Sequence, residues 1–141
     1  MQVSLALTSG GNMSHIPYEE NRKRLPDFIV EYDWEPDEEL KTVKRYQGIR
    51  SDFLYEGDDP KSDGIHMIWP EFLDENGAVV LEKEVEVSPH GFANMWVLME
   101  ERRSYHRDRI KIGTKGYLVC GSKKLATATV IQIGGLYDAK S

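Results

Sequence analysis

Residues 110–136 read IKIGTKGYLVCGSKKLATATVIQIGGL. Short apolar stretches alternate there with Gly113, Gly116 and Gly121. The pattern predicts strands over IKI, GYLVC and LATATVIQI, joined by tight turns. Ala126 and Ala128 make the last strand small enough for another backbone to approach closely. Lys111, Lys115, Lys123 and Lys124 fall in this stretch, and no acid does.

The rest of the chain repeats the strand-and-turn rhythm. DFIVEYDW places Phe28, Val30, Tyr32 and Trp34 on one face and Glu31 and Asp33 on the other, the period-two mark of a half-buried strand. Pro36 ends it, because proline cannot donate to a ladder. PDEELKTVKRYQG is a connection with room for a helical turn. IRSDFLY is a second strand with Ile49, Phe53 and Tyr55 on one side, and EGDDPKSDG is a loop of turn formers. IHMIW is a third strand, expected to stop at Pro70. In EFLDENGAVVLE two apolar runs flank Asn76-Gly77, which suits a type I′ hairpin turn. EVEVSPHG reads as a short alternating piece ending at Pro89. FANMWVLM is apolar on both faces apart from Asn94, as expected of the most buried strand. EERRSYHRDR is a charged connection with a helical turn. About seven to nine short strands and no long helix predict an all-β sandwich or barrel. Residues 1–24 read as a flexible tail and 25–141 as one β-barrel domain.

Bulk properties agree with one soluble domain. The 141 residues are 40% hydrophobic and 30% charged. No apolar run reaches the roughly 18–20 residues of a membrane helix. MQVSLALTSGG lacks the basic start of a secretory signal, and Cys120 is the single cysteine, so no internal disulfide forms. These features predict a cytoplasmic protein. The net charge is −6 and uneven: residues 1–100 hold nine Lys and Arg against 21 Asp and Glu, whereas 101–141 hold nine against three.

Catalytic patterns are sparse. His15, His66, His90 and His106 include no i, i+4 pair, and there is no CxxC, so no metal and no cofactor are expected. His66 and His90 read as surface or rim residues, and Cys120 as a small buried apolar one. Ser104, His106 and Asp108 alternate along one short segment, which triad members seldom do, and no GxSxG elbow is present. GTKG and CGSKK do not fit a phosphate loop, so no nucleotide hydrolysis is expected. Catalysis survives only if His106, Asp108 or Cys120 lines a cleft. Two basic stretches, KTVKRYQGIR and RRSYHRDRIKIGTK, interleave cations with aromatics in a way that can hold a phosphate backbone and stack a base.

The same residues carry a resemblance. The stretch 110–136 resembles the last strands of the third domain of elongation factor Tu and related translation GTPases, with their REGGRTVGAGVV segment. Gly113 stands for that family's first glycine and Gly121 for the first of its GG pair. Lys123 or Lys124 stands near its arginine, and Leu125 through Val130 for its small-residue strand. Upstream, QGIRSDFLYEGDDPKSDG is similar to GYRPQFYFRTTDVTG, with Gly48, Arg50 and Phe53 in register. The similarity spans about Asp27 to Leu136. It implies a closed six-stranded antiparallel Greek-key barrel, here with an extra NG hairpin insert. The GTPase domain is absent, so that activity is not inherited. The family's third domain contacts tRNA partly through GGRHTPFF, where this chain has ELKTVKRY, with Lys41 at the arginine position and Thr42 at the histidine position. Cys120 stands at the glutamate of REG.

The functional expectation is a non-enzymatic binding module engaging a protein partner. Trp69 and Phe72 are its candidate aromatic anchors, or else core residues, and Asp58 and Asp59 its candidate acids. One form is an acidic inhibitor of a basic partner, acting through acids within 31–39, 56–63 and 71–86. The alternative is an RNA-binding module using Lys41, Lys44, Arg45, Arg50, Gly121, Lys123 and Lys124.

Overall fold

Alternation in FIVEYDW makes β1 (Phe28–Trp34), and its four alternate apolar side chains are all buried. The structure, a computed structural model, describes residues 15–22, 24–36, 44–121 and 123–138. Lys41 and Thr42 lie outside them. Five further strands follow: β2 (Asp52–Tyr55), β3 (Ile68–Phe72), β4 (His90–Val97), β5 (Lys115–Cys120) and β6 (Lys123–Ile133). They form one antiparallel sheet in the order β2-β5-β6-β1-β4-β3. The charged segment after β4 forms a 3-10 turn (Glu100–Arg102) and a short helix, here α2 (Arg103–Arg109); α1 is Tyr18–Arg22.

The sheet curls into a half-barrel around a core that includes Phe28, Val30, Tyr32, Phe53, Tyr55, Phe72 and Met95. Full closure is not what the strand pairing shows. Among the described residues, the outer strand β2 is joined to the segment just before β3 by one isolated bridge, Phe53 to His66, where each backbone N–H donates to the other's carbonyl at 2.9 Å. That bridge is the seam of the half-barrel.

Small residues set the curvature in a row across the sheet: Tyr55, Gly116, Ala128, Tyr32 and Gly91 are successive cross-strand partners. The three small residues make room for the rings. A Cβ on Gly116 would overlap the Phe53 ring and come within 2.6 Å of the Leu54 carbonyl.

Several local expectations are corrected. Pro70 does not stop the third strand but sits inside β3, buried. This is tolerated because β3 is an edge strand, where a missing N–H costs no ladder bond on the outer side. The Asn76-Gly77 hairpin is real but not a two-residue type I′ turn. Gly77 N–H donates to the Asp74 carbonyl and Asp74 N–H to the Ala78 carbonyl, leaving a three-residue loop with Gly77 at φ +84°. The Asp74 carboxylate decides this by accepting the N–H groups of Asn76 and Ala78. Residues 84–89 form no strand, His90 and Gly91 already belong to β4, and IKI leads into a turn with Gly113 at φ +96°. Residues 15–22, expected as tail, instead hold a buried His15 and the helix α1.

Candidate functional site

Two regions gather charged and aromatic side chains. The first is a groove beside the start of β4. Leu73 N–H donates to the Phe92 carbonyl at 2.9 Å and Val80 N–H to the Phe72 carbonyl at 3.0 Å, so the chain folds back after β3. Gln47 fixes the fold-back by using its whole amide: its Nε2 donates to the Phe72 and Val80 carbonyls and its Oε1 accepts the Phe72 N–H. Residues 81–89 then return to the sheet, tied by Val87 N–H to the Arg45 carbonyl and by Tyr32 O–H to the Ser88 carbonyl. Between these ties lies a groove of about 610 Å³. Leu73, Val80, Val85 and Phe92 supply apolar lining, and Asp74, Glu75, Glu82 and Glu86 the charge. Phe92 and Val85 remain 42% and 58% exposed. Glu86 faces Arg45 loosely at 3.7 Å, whereas Glu75 and Glu82 have no cation partner among the described residues. His90, on the groove wall, sits 3.2 Å from Glu31.

The second region lies around α2 and the seam. Tyr55 O–H is 2.7 Å from His106 Nδ1. The His66 and His106 rings meet edge to face at 4.7 Å, with Tyr105 beside both. Arg109 lies 3.7 Å over the Tyr55 ring and donates to both Asp58 oxygens, at 2.9 and 3.2 Å. Burial, reinforced by His66, Arg102 and Arg109, pushes His106 down to about 3, and burial with the two arginines also lowers His66. Burial raises the Tyr55 hydroxyl above its ordinary value. The hydrogen bond from Arg109 holds the Asp58 carboxyl below its usual range. At neutral pH the centre is therefore two neutral imidazoles and the neutral Tyr55 phenol, flanked by the closed Arg109–Asp58 ion pair.

Two buried carboxylates serve the fold. Asp27, fully buried, accepts from Arg24, from Arg103 and from the Val97 N–H, clamping the start of β1 to β4 and α2. Glu71 accepts from His15 at 2.5 Å, the Tyr18 N–H at 2.8 Å and Trp96 at 3.0 Å. Burial works to raise its carboxyl, but these donors outweigh burial and hold it below the usual range.

The sequence candidates scatter. Phe72 is core, packed edge-on against Tyr32. Trp69 is half-buried, donates to Asp52 and carries Arg50 over its ring. Asp58 is engaged by Arg109, and Asp59 is exposed in its own loop. Arg45 lies over Trp34, Arg50 over Trp69 and Lys124 over Tyr117, as three separate cation–aromatic pairs. Lys44, Gly121 and Lys123 are exposed, with Gly121 at φ +62° in the turn from β5 to β6.

His66 is buried rather than at the surface, and Cys120 is exposed rather than buried. Both follow from position: His66 occupies the seam, and Cys120 ends β5 at the turn. Ser104, His106 and Asp108 form no triad, since α2 turns His106 inward and leaves Asp108 in solvent beside Arg107. His106 does line a cavity at the seam; Asp108 and Cys120 line neither that cavity nor the groove. Sequence reading missed Gln47, Tyr55 and the pairing of Arg109 with Asp58, which are long-range contacts without a local pattern. Among the described residues, no group of three or more His, Cys, Asp or Glu is gathered to hold a metal ion, and no helix is long and apolar enough to cross a membrane.

No protein-family model, curated protein or solved structure matches the chain.

Proposed function

We propose that the protein is a non-enzymatic binding module whose groove captures a basic segment of a partner protein. One observation carries this reading: an apolar groove rimmed by Asp74, Glu75, Glu82 and Glu86, three of which (Asp74, Glu75 and Glu82) have no cation partner among the described residues. Apolar lining supplies binding energy, and a single-sign rim selects a cationic partner and speeds its approach. An acidic inhibitor of a basic protein is the specific form that fits this rim. The non-enzymatic part rests on His106, whose Nδ1 is engaged by Tyr55. The resemblance to the third domain of elongation factor Tu and a fully closed Greek-key barrel belong to the same reading. The Phe53–His66 bridge from β2 to the segment leading into β3 supports closure. A cytoplasmic location accords with the single, exposed thiol of Cys120.

The rival is RNA binding. Arg50 on Trp69 and Lys124 on Tyr117 favour it, because cation–aromatic pairs of this kind can hold a phosphate and stack a base. Fluorescence anisotropy separates the two. The probes are a short Lys/Leu peptide, its Glu/Leu counterpart, tRNA and a duplex RNA, each at low and physiological salt. Capture of the basic peptide, weakened by Glu75→Gln with Glu82→Gln, supports the groove. Capture unchanged by those substitutions sinks it, and steeply salt-dependent tRNA binding without peptide binding hands the function to RNA.

A further inference from the structure

Beside the Phe53–His66 bridge, between the segment leading into β3, the end of β4 and the start of α2, lies a second cavity, of about 350 Å³. Its lining includes His66, Met67, Val97, Met99, Arg102 and His106. Its size lies at the lower end of small-molecule sites.

Two of these residues have unspent polar capacity. His66 is more than nine-tenths buried, and its Nε2 has no hydrogen-bond partner. A buried polar atom in that state costs free energy unless something satisfies it. Arg102 is the other. Its guanidinium lies 4.3 Å over the Tyr105 ring and forms no ion pair among the described residues. Its neighbours differ: Arg24 and Arg103 hold Asp27, Arg22 holds Glu100, and Arg109 holds Asp58. The acid on the cavity wall, Asp63, is turned into its own loop, where it accepts the Asp59 N–H at 2.7 Å. The remaining wall is apolar and adaptable, with two methionine side chains.

These features specify a ligand. One uncommitted cation favours an anion. The imidazoles beside it are neutral at pH 7, so a single negative charge is matched and a doubly charged phosphate is not. A planar carboxylate fits the guanidinium fork. Met67, Val97 and Met99 ask for an apolar body behind the charge. We propose that the seam cavity binds a small monocarboxylate with an apolar body, its carboxylate held by Arg102 beside the His66 imidazole and its body against Met67, Val97 and Met99.

The site has a structural consequence. His66 makes the bridge to Phe53 that joins β2 to the segment leading into β3, so a ligand seated on its side chain braces the seam. A ligand that binds only the folded chain raises its melting temperature in proportion to occupancy.

Benzoate and hexanoate test this against benzamide, hexanamide and inorganic phosphate, with the full chain at pH 7 and constant ionic strength. The readouts are the methyl resonances of Met67 and Met99 and the melting temperature. The expected result is saturable binding of at least one carboxylate, with shifted methionine methyls and a raised melting temperature. The matching amide binds about tenfold more weakly or worse, as loss of a charged hydrogen bond implies. Arg102→Gln brings the carboxylate down to the level of the amide, and Arg102→Lys, which keeps the charge but not the fork, retains part of the affinity. Arg102 is exposed, so both variants leave the core untouched. Equal binding of acid and amide, carboxylate binding unaffected by Arg102→Gln, phosphate binding tighter than both carboxylates, or binding of no probe would each overturn the proposal.

Discussion

In the groove, Glu75 and Glu82 have no cation partner among the described residues, whereas around α2 Asp58 and Asp27 are each gripped by arginine. The two regions use similar material, charged residues set among aromatic and aliphatic ones. Their difference lies in accounting for charge. Asp27 spends its oxygens on Arg24, Arg103 and the Val97 N–H, so it holds structure together and has little left for a partner. The groove acids are tied more loosely, and the lining beside them is apolar and partly exposed. Paired charge is architecture; unpaired charge beside apolar surface is capacity for binding. Mutations of the arginine-paired acids Asp27 and Asp58 should therefore act on stability, and mutations of the groove acids on binding.

The strongest way to break this contrast is Asp27→Ala. It leaves Arg103 and the Val97 N–H without their buried acceptor and should cost about 3–5 kcal/mol in urea unfolding. A loss under about 1 kcal/mol would mean that the clamp is not structural. Next comes Gly116→Ala, where the new methyl meets the Phe53 ring and the Leu54 carbonyl. Backbone cannot yield as a flexible side chain can, so a loss of about 1–3 kcal/mol is expected from the same measurement.

Acid sharpens the comparison further. His106 is held at about 3 when folded, against an ordinary value of 6.5. Between those values the unfolded chain binds a proton that the folded chain refuses, so stability falls as pH drops from 6.5 toward 3. The slope from this group is about 1 kcal/mol per pH unit. His66, lowered by burial, and Asp58, lowered by Arg109, act in the same direction. Chemical unfolding between pH 7 and pH 4 should show a shallower slope in His106→Gln than in the unmodified protein. Equal slopes would remove His106 as the source.

The smallest expected effect on stability is in the groove. Glu75→Gln with Glu82→Gln should stay within about 0.5 kcal/mol of the unmodified protein. The same pair should lower affinity for a basic peptide roughly three- to tenfold at low salt and less at high salt. A large stability change would place these acids with the structural carboxylates instead.

The readings that came from the sequence are local ones. Period-two alternation places Phe28, Val30, Tyr32 and Trp34 on the buried face of β1, and FANMWVLM covers the strand whose second half is buried on both sides. The charged run after it turns helical, and the acids near the NG hairpin are legible as a surface. These readings succeed because strand periodicity and turn chemistry act over a few residues. Proline at position 70 misled for the same reason: the rule against proline concerns ladder bonds, and only the sheet order reveals that β3 has a free edge. The Asp74 side chain likewise overrode the local preference of Asn-Gly. Tertiary structure alone decided that His66, 40 residues from His106, would share a cavity with it. It also decided that Arg109 would close on Asp58 while Arg102 stayed uncommitted. Burial and charge pairing depend on which distant segments the curled sheet brings together, and no short-range pattern encodes that.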